Sequence, residues 1–184
     1  MKRSLLMAGF LSLIIGFFSP SSRAVDYQVA EVYSGLRNMI FSITPDSIGV
    51  KLKEPGEVWG VVMETGYPKA VATLVALADG TVSLYFSNGG GLIGLGPHAG
   101  PKRAAQTFLA SAQKFSTQLQ PTGSNPLPKP SNTRFYLLTG NGVLTAEAKE
   151  DDLGNNRHPL APLFFSGQEL IAEVRAVDQA LKTQ

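Results

Sequence analysis

The sequence predicts an α+β fold: one five-stranded antiparallel sheet with flanking helices, in the order α-β-β-β-α-β-β-α. Two strong turn signals carry this expectation, because Asp79-Gly80 and Asn141-Gly142 each separate two β-rich runs. Three helix-periodic apolar stripes carry the rest, falling before, between and after the strand groups. The 184-residue chain contains no cysteine, so packing must hold the fold without disulfides.

The first stripe spans residues 27–40, with Val29, Val32, Tyr33, Leu36, Met39 and Ile40 at i, i+3, i+4 and i+7 steps. Thr44-Pro45 then predicts a short turn, and residues 51–57 a charged loop around Pro55-Gly56. Residues 58–64 form the first expected strand, with Trp59, Val61 and Met63 on one core-facing side. Gly66-Tyr67-Pro68 closes its turn. Residues 70–78 are apolar on both alternating faces, as in an inner strand covered on each side. Residues 81–87 alternate, sending Val82, Leu84 and Phe86 to the core and Thr81, Ser83, Tyr85 and Ser87 to the other face. A glycine-rich link, 89–96, leads to a helix over 101–119 that buries Ala104, Ala105, Phe108, Ala112, Phe115 and Leu119. Residues 120–133 hold Pro121, Pro126, Pro128 and Pro130 and predict an extended surface connection. Strands over 134–139 and 143–147 follow, and the Asn-Gly pair between them suits the positive φ angles of a type I′ turn. The last stripe runs from Leu160 through Leu163, Phe164, Gly167, Ile171, Val174 and Val177 to Leu181. Ser166-Gly167-Gln168-Glu169 matches a capping box, but the stripe begins earlier, which places Pro159 in the first turn.

Apart from its first helix, this order is similar to the longin, roadblock and profilin-like five-stranded sheets. That is an analogy of topology, and such folds host binding, scaffolding and sensing alike. The block Val58-Trp59-Gly60-Val61-Val62-Met63-Glu64-Thr65-Gly66-Tyr67-Pro68, continued by Val71-Ala72-Thr73-Leu74-Val75-Ala76-Leu77-Ala78-Asp79-Gly80, Ser83-Leu84-Tyr85-Phe86-Ser87 and Gly89-Gly90-Gly91, resembles an uncharacterised family of small bacterial proteins. Arg134-Phe135-Tyr136-Leu137-Leu138-Thr139 and Gly154-Asn155-Asn156-Arg157-His158-Pro159-Leu160 fit the same resemblance, which covers residues 27–177. It implies no activity, cofactor or catalytic residue.

Residues 1–24 have the layout of a secretory signal peptide. Lys2-Arg3 precede a 14-residue apolar run over 5–18, Ser19-Pro20 breaks it, and Ser22-Arg23-Ala24 offers a cleavage site. The run reaches roughly 21 Å as a helix, short of the ~30 Å hydrocarbon core. The expected organisation is therefore a leader over 1–24 and one domain over 25–184, periplasmic or secreted, with a retained membrane anchor as the alternative. Loss of the leader leaves 13 basic against 14 acidic residues, a net charge of −1. The basic pI is thus no argument for nucleic acid as a partner.

Chemistry is sparse. With no cysteine and only His98 and His158, thiol catalysis is excluded and a multi-histidine metal site nearly so; no cofactor is expected. Gly89-Gly90-Gly91-Leu92-Ile93-Gly94 satisfies G-x-G-x-x-G, but it lacks a parallel βαβ unit and a ribose-binding acid, since no Asp or Glu occurs between Asp79 and Glu147. A small anion could still be held by Gly89, Gly90, Gly91, Gly94, Lys102 and Arg103, with His98 beside them as a candidate base. The alternative is a tight crossover plugged by apolar side chains. His158 is expected to bind backbone near the start of the final helix, and Tyr67, at a hairpin tip, is a candidate partner anchor. The leading expectation is an exported, non-catalytic binding or protein-interaction module. A small anion sensor or enzyme centred on 89–103 is its rival, and a self-associating structural subunit the third reading.

Overall fold

A computed structural model describes residues 29–183. The leader 1–24, and the start of the first predicted helix at Tyr27, lie outside the described residues. The order is α1 (Glu31–Ser42), β1 (Val58–Gly66), β2 (Val71–Leu77), β3 (Val82–Phe86), β4 (Gly91–Ile93), α2 (Ala99–Phe115), β5 (Gln120–Thr122), β6 (Asn132–Thr139), β7 (Gly142–Lys149), α3 (Glu150–Gly154) and α4 (Ala161–Lys182).

The five-stranded expectation is corrected. The sheet has seven strands in the order β4-β3-β2-β1-β6-β7-β5, every neighbouring pair antiparallel. The two extra strands are three-residue edges. β4 lies within the glycine-rich link, where too few side chains exist to show alternation. β5 contains Pro121, tolerated on an edge because no inner ladder needs its N–H. α3 is a further addition to the predicted order, too short to carry a periodic stripe.

Both faces of the sheet are buried. On one lie Val61, Met63, Leu74, Leu84, Phe135 and Leu137, covered by α2 and α4. Ala104, Ala105 and Ala112 of α2 are buried there, and a Cβ at Gly167 of α4 would stand 2.7 Å from Met63 Sδ. Small residues thus let these helices approach closely. The other face carries Trp59, Val62, Val75, Leu77, Tyr85, Tyr136 and Leu138 beneath α1, Ile43, Leu52 and Leu127.

Three local expectations change. The ladder shifts register between Val58 and Gly60, which sends Trp59 to the α1 face, away from Val61 and Met63. One extra residue in a strand reverses the alternation on either side of it. At the second hairpin neither Gly140 nor Asn141 has a positive φ; it falls on Gly142 at 112°, so the turn is not type I′. On α1, Val32 (58% exposed) and Met39 (51%) face outward, whereas Arg37 points inward.

Candidate functional site

A row of polar side chains crosses the α1 face, one from each neighbouring strand. Tyr85 (β3) stands opposite Thr73 (β2), Thr73 opposite Glu64 (β1), Glu64 opposite Arg134 (β6), and Arg134 opposite Glu147 (β7). Facing partners in a ladder share a side of the sheet, so register alone assembles this row. Glu64 is fully buried. Arg37 reaches down from α1 and binds it with both ends of its fork, Nε to Oε1 at 2.7 Å and Nη2 to Oε2 at 2.9 Å. The Tyr33 hydroxyl donates to Oε1 at 3.3 Å and Thr73 Oγ1 donates to the same oxygen at 3.2 Å. The Arg37 guanidinium lies 4.9 Å from the ring centre of Phe41 and 5.9 Å from that of Tyr136. Arg134 pairs with Glu147.

The electrostatics follow from burial. Burial, then the charge of Glu64, raises the phenol pKa values of Tyr33 and Tyr85 far above the ordinary value. The same two causes push Tyr136 up to about 12. For Arg37, burial works against the cation, but the hydrogen bonds and charge of Glu64 outweigh it and the pKa rises. Tyr33, Tyr85, Tyr136 and Arg37 are all shifted away from neutrality.

Beside the row, α1 and the β3–β4 edge enclose a cleft of about 110 Å³. Tyr33, Leu36 and Val32 form one wall; Tyr85, Phe86, Gly89, Gly90, Gly91 and Ile93 form the other. Gly91 is required here by close approach, because a Cβ on it would stand 2.6 Å from that of Tyr85. Val32 and Ile93, both well exposed, make an apolar rim. The volume is below the roughly 300 Å³ at which drug-sized ligands fit and is nearer to that of a single side chain.

The glycine-rich segment is divided by the fold. Gly89, Gly90 and Gly91 line the cleft. Gly94 and Lys102 line a separate open basin with Asp79, Gly80, Thr81 and Gly96. Asp79 brings a carboxylate into that basin, held by Thr81 N at 2.8 Å and Thr81 Oγ1 at 3.0 Å, which opposes an anion beside Lys102. Exposed Arg103 and His98 line neither concavity; His98 precedes α2 without a side-chain capping bond. Nor do the seven residues separated by this division make one anion cradle. His158 Nδ1 accepts from Leu160 N at 3.1 Å, at the start of α4. Tyr67 is 43% exposed at the β1–β2 turn; burial of its remainder, then the charge of Glu150, raises its pKa.

The sequence expectation ends the first strand at Glu64 without giving it a role, and gives Arg37 none. A carboxylate inside an otherwise apolar strand was the available signal. Arg37, at i+4 from Tyr33 on the helix face that also holds Ile40 and Phe41, was the other. No family model matches the chain, and neither does any curated protein or solved structure.

Proposed function

We propose that the protein is an exported, non-catalytic binding module that takes one apolar side chain of a partner polypeptide into the cleft between α1 and β3–β4. The observation that carries this reading is an aromatic, glycine-walled cleft of side-chain size with Val32 and Ile93 on its rim. Strand β4 adds a second means of holding an extended partner. It is a sheet edge, and its outward backbone groups can pair with an added strand while the cleft selects the side chain.

The test is site-specific photo-crosslinking in the native host, with the crosslinker at Ile93 or Val32 and, as controls, at Phe165 or Leu181. A partner captured from the first pair and not the second supports the reading. Equal capture from all four positions overturns it. In the uncrosslinked protein, Val32→Asp and Ile93→Asp should each reduce recovery of the captured partner by about tenfold or more, with stability changed by no more than about 0.5 kcal/mol. Export is tested by the N-terminus of the protein recovered from the host. Val25 is expected, and an intact Met1 in the soluble cytosolic fraction overturns it.

A further inference from the structure

α1 is attached to the sheet in a different way from α2 and α4. α2 approaches the sheet closely and α4 is packed on α2, whereas α1 makes no comparably close backbone approach to any strand or helix. Of its residues only Tyr33 and Ile40 are buried. Its ends are weak as well: Ala30 precedes it without a side-chain capping bond, and no basic residue occupies its last turn. Gly35 lowers its intrinsic helicity further. A 12-residue helix of this kind is marginal by itself and persists because it is docked.

The docking is polar at its centre, with a cleft toward each end and a backbone bond from Ala30 N to Ser87 O at 2.8 Å that lifting must break. The centre is the Arg37–Glu64 clamp, supported by the Tyr33 and Thr73 hydroxyls that donate to Glu64 Oε1. Toward the N-terminal end lies the cleft lined by Tyr33 and Tyr85. Toward the C-terminal end lies another, of about 280 Å³, lined by Ile40, Phe41, Ile43 and Trp59. Tyr85, in the first lining, and Trp59, in the second, bury the hydroxyl and the indole Nε1 respectively without a hydrogen-bond partner among the described residues. Each buried, unpaired polar atom penalises the closed arrangement and is relieved when water enters. The connection over 43–57 supplies a hinge, since it contains a short 3₁₀ turn and Gly49 at φ 73°.

We propose that α1 is a lid over the binding cleft, latched by Arg37 and Glu64, which lifts as a unit to admit the partner. The assignment of the cleft as the partner's site rests on the reading above; the lifting of the helix does not. A partner that binds the lifted state better than the closed one shifts the population toward it. The latch sets how much of that binding energy the opening consumes. Arg37 is thus a positioning residue.

Native-state hydrogen exchange on the mature chain, with no partner present, tests the lid. Helical amides of α1 should exchange about 100-fold faster than those of β1 and β6, with little dependence on denaturant. Arg37→Met leaves Glu64 buried without its counter-ion and destabilises the closed state relative to the lifted and unfolded states alike, so α1 exchange should rise about another 100-fold and stay about 100-fold faster than that of the sheet, still with little dependence on denaturant. Arg37→Met combined with Glu64→Met removes both charges and should return α1 exchange to the wild-type rate or slower. Glu64→Gln, which keeps a hydrogen-bond acceptor, should accelerate α1 about tenfold and covers the case in which Arg37→Met fails to fold. Exchange of α1 in concert with β1 and β6, or α1 exchange that Glu64→Gln leaves unchanged, overturns the proposal. A fast-exchanging α1 together with no selective crosslinking at Val32 and Ile93 would retain the lid and remove the binding reading.

Discussion

Glu64 stands within β1 with no solvent contact, and four donor atoms surround its carboxylate: two from Arg37 and one each from Tyr33 and Thr73. An ionised group can remain in such a place only if paired and hydrogen-bonded. Arg37→Ala should therefore cost about 3–5 kcal/mol, read as a lower urea midpoint. Tyr85 presents the opposite case, because its buried hydroxyl has no partner among the described residues. Tyr85→Phe should raise stability by about 1 kcal/mol at neutral pH. Glycines divide in the same way. A Cβ at Gly96 would lie 1.8 Å from the Gly80 carbonyl oxygen, a backbone atom that cannot step aside, whereas one at Gly123 would meet nothing within 4 Å. Gly96→Ala should destabilise severely, by more than about 3 kcal/mol, and Gly123→Ala should be neutral or slightly stabilising; thermal melts separate them.

Elements with long, regular apolar patterns were legible in the chain. The stripe of α2 was read correctly at Ala104, Ala105, Phe108 and Ala112, all buried, whereas Phe115 is only partly buried and Leu119, though buried, lies beyond the helix end. Phe108 is fully enclosed, and Phe108→Ala should cost about 3–5 kcal/mol, with the loss seen in sheet and helices together by hydrogen exchange. The edge strands were not legible, because β4 and β5 span three residues each and contain glycine or proline. Trp59 was placed on the wrong face because a register shift leaves no mark in composition. The candidate site was half legible. Gly89, Gly90 and Gly91 were singled out and do line the cleft, but the pairing of Arg37 with Glu64 joins positions 27 apart and depends on how α1 docks.

For the molecule as a whole, the buried tyrosines set the alkaline limit of stability. Tyr33, Tyr85 and Tyr136 all have raised pKa values in the folded state, that of Tyr136 at about 12. An unfolded tyrosine titrates near 10, so above that pH the unfolded chain has released protons that the folded chain retains. The contribution of these groups is fully present below pH 10 and is lost as the pH rises through the folded value. Stability should fall by up to about 1.4 kcal/mol per pH unit for each tyrosine, or about 4 for the three, between roughly pH 10 and 12. Urea midpoints across that range check the slope, and Tyr85→Phe should remove about a third of it. A flat profile would mean that these phenols are accessible to solvent. Among the described residues no helix is long and apolar enough to cross a membrane.

The sequence by itself determined the α+β class, the antiparallel hairpins, the three long helices and the inner position of β2. Each of these follows from local periodicity and turn chemistry, which act over a few neighbouring residues. Tertiary structure alone decided the two edge strands, the face on which Trp59 sits, the split of the glycine-rich segment between two concavities, and the burial of Glu64 beneath Arg37. Those features arise when register aligns side chains from five strands and a helix closes over them. The energy of a buried ion pair is a property of that assembled, water-free setting and is written in neither residue alone.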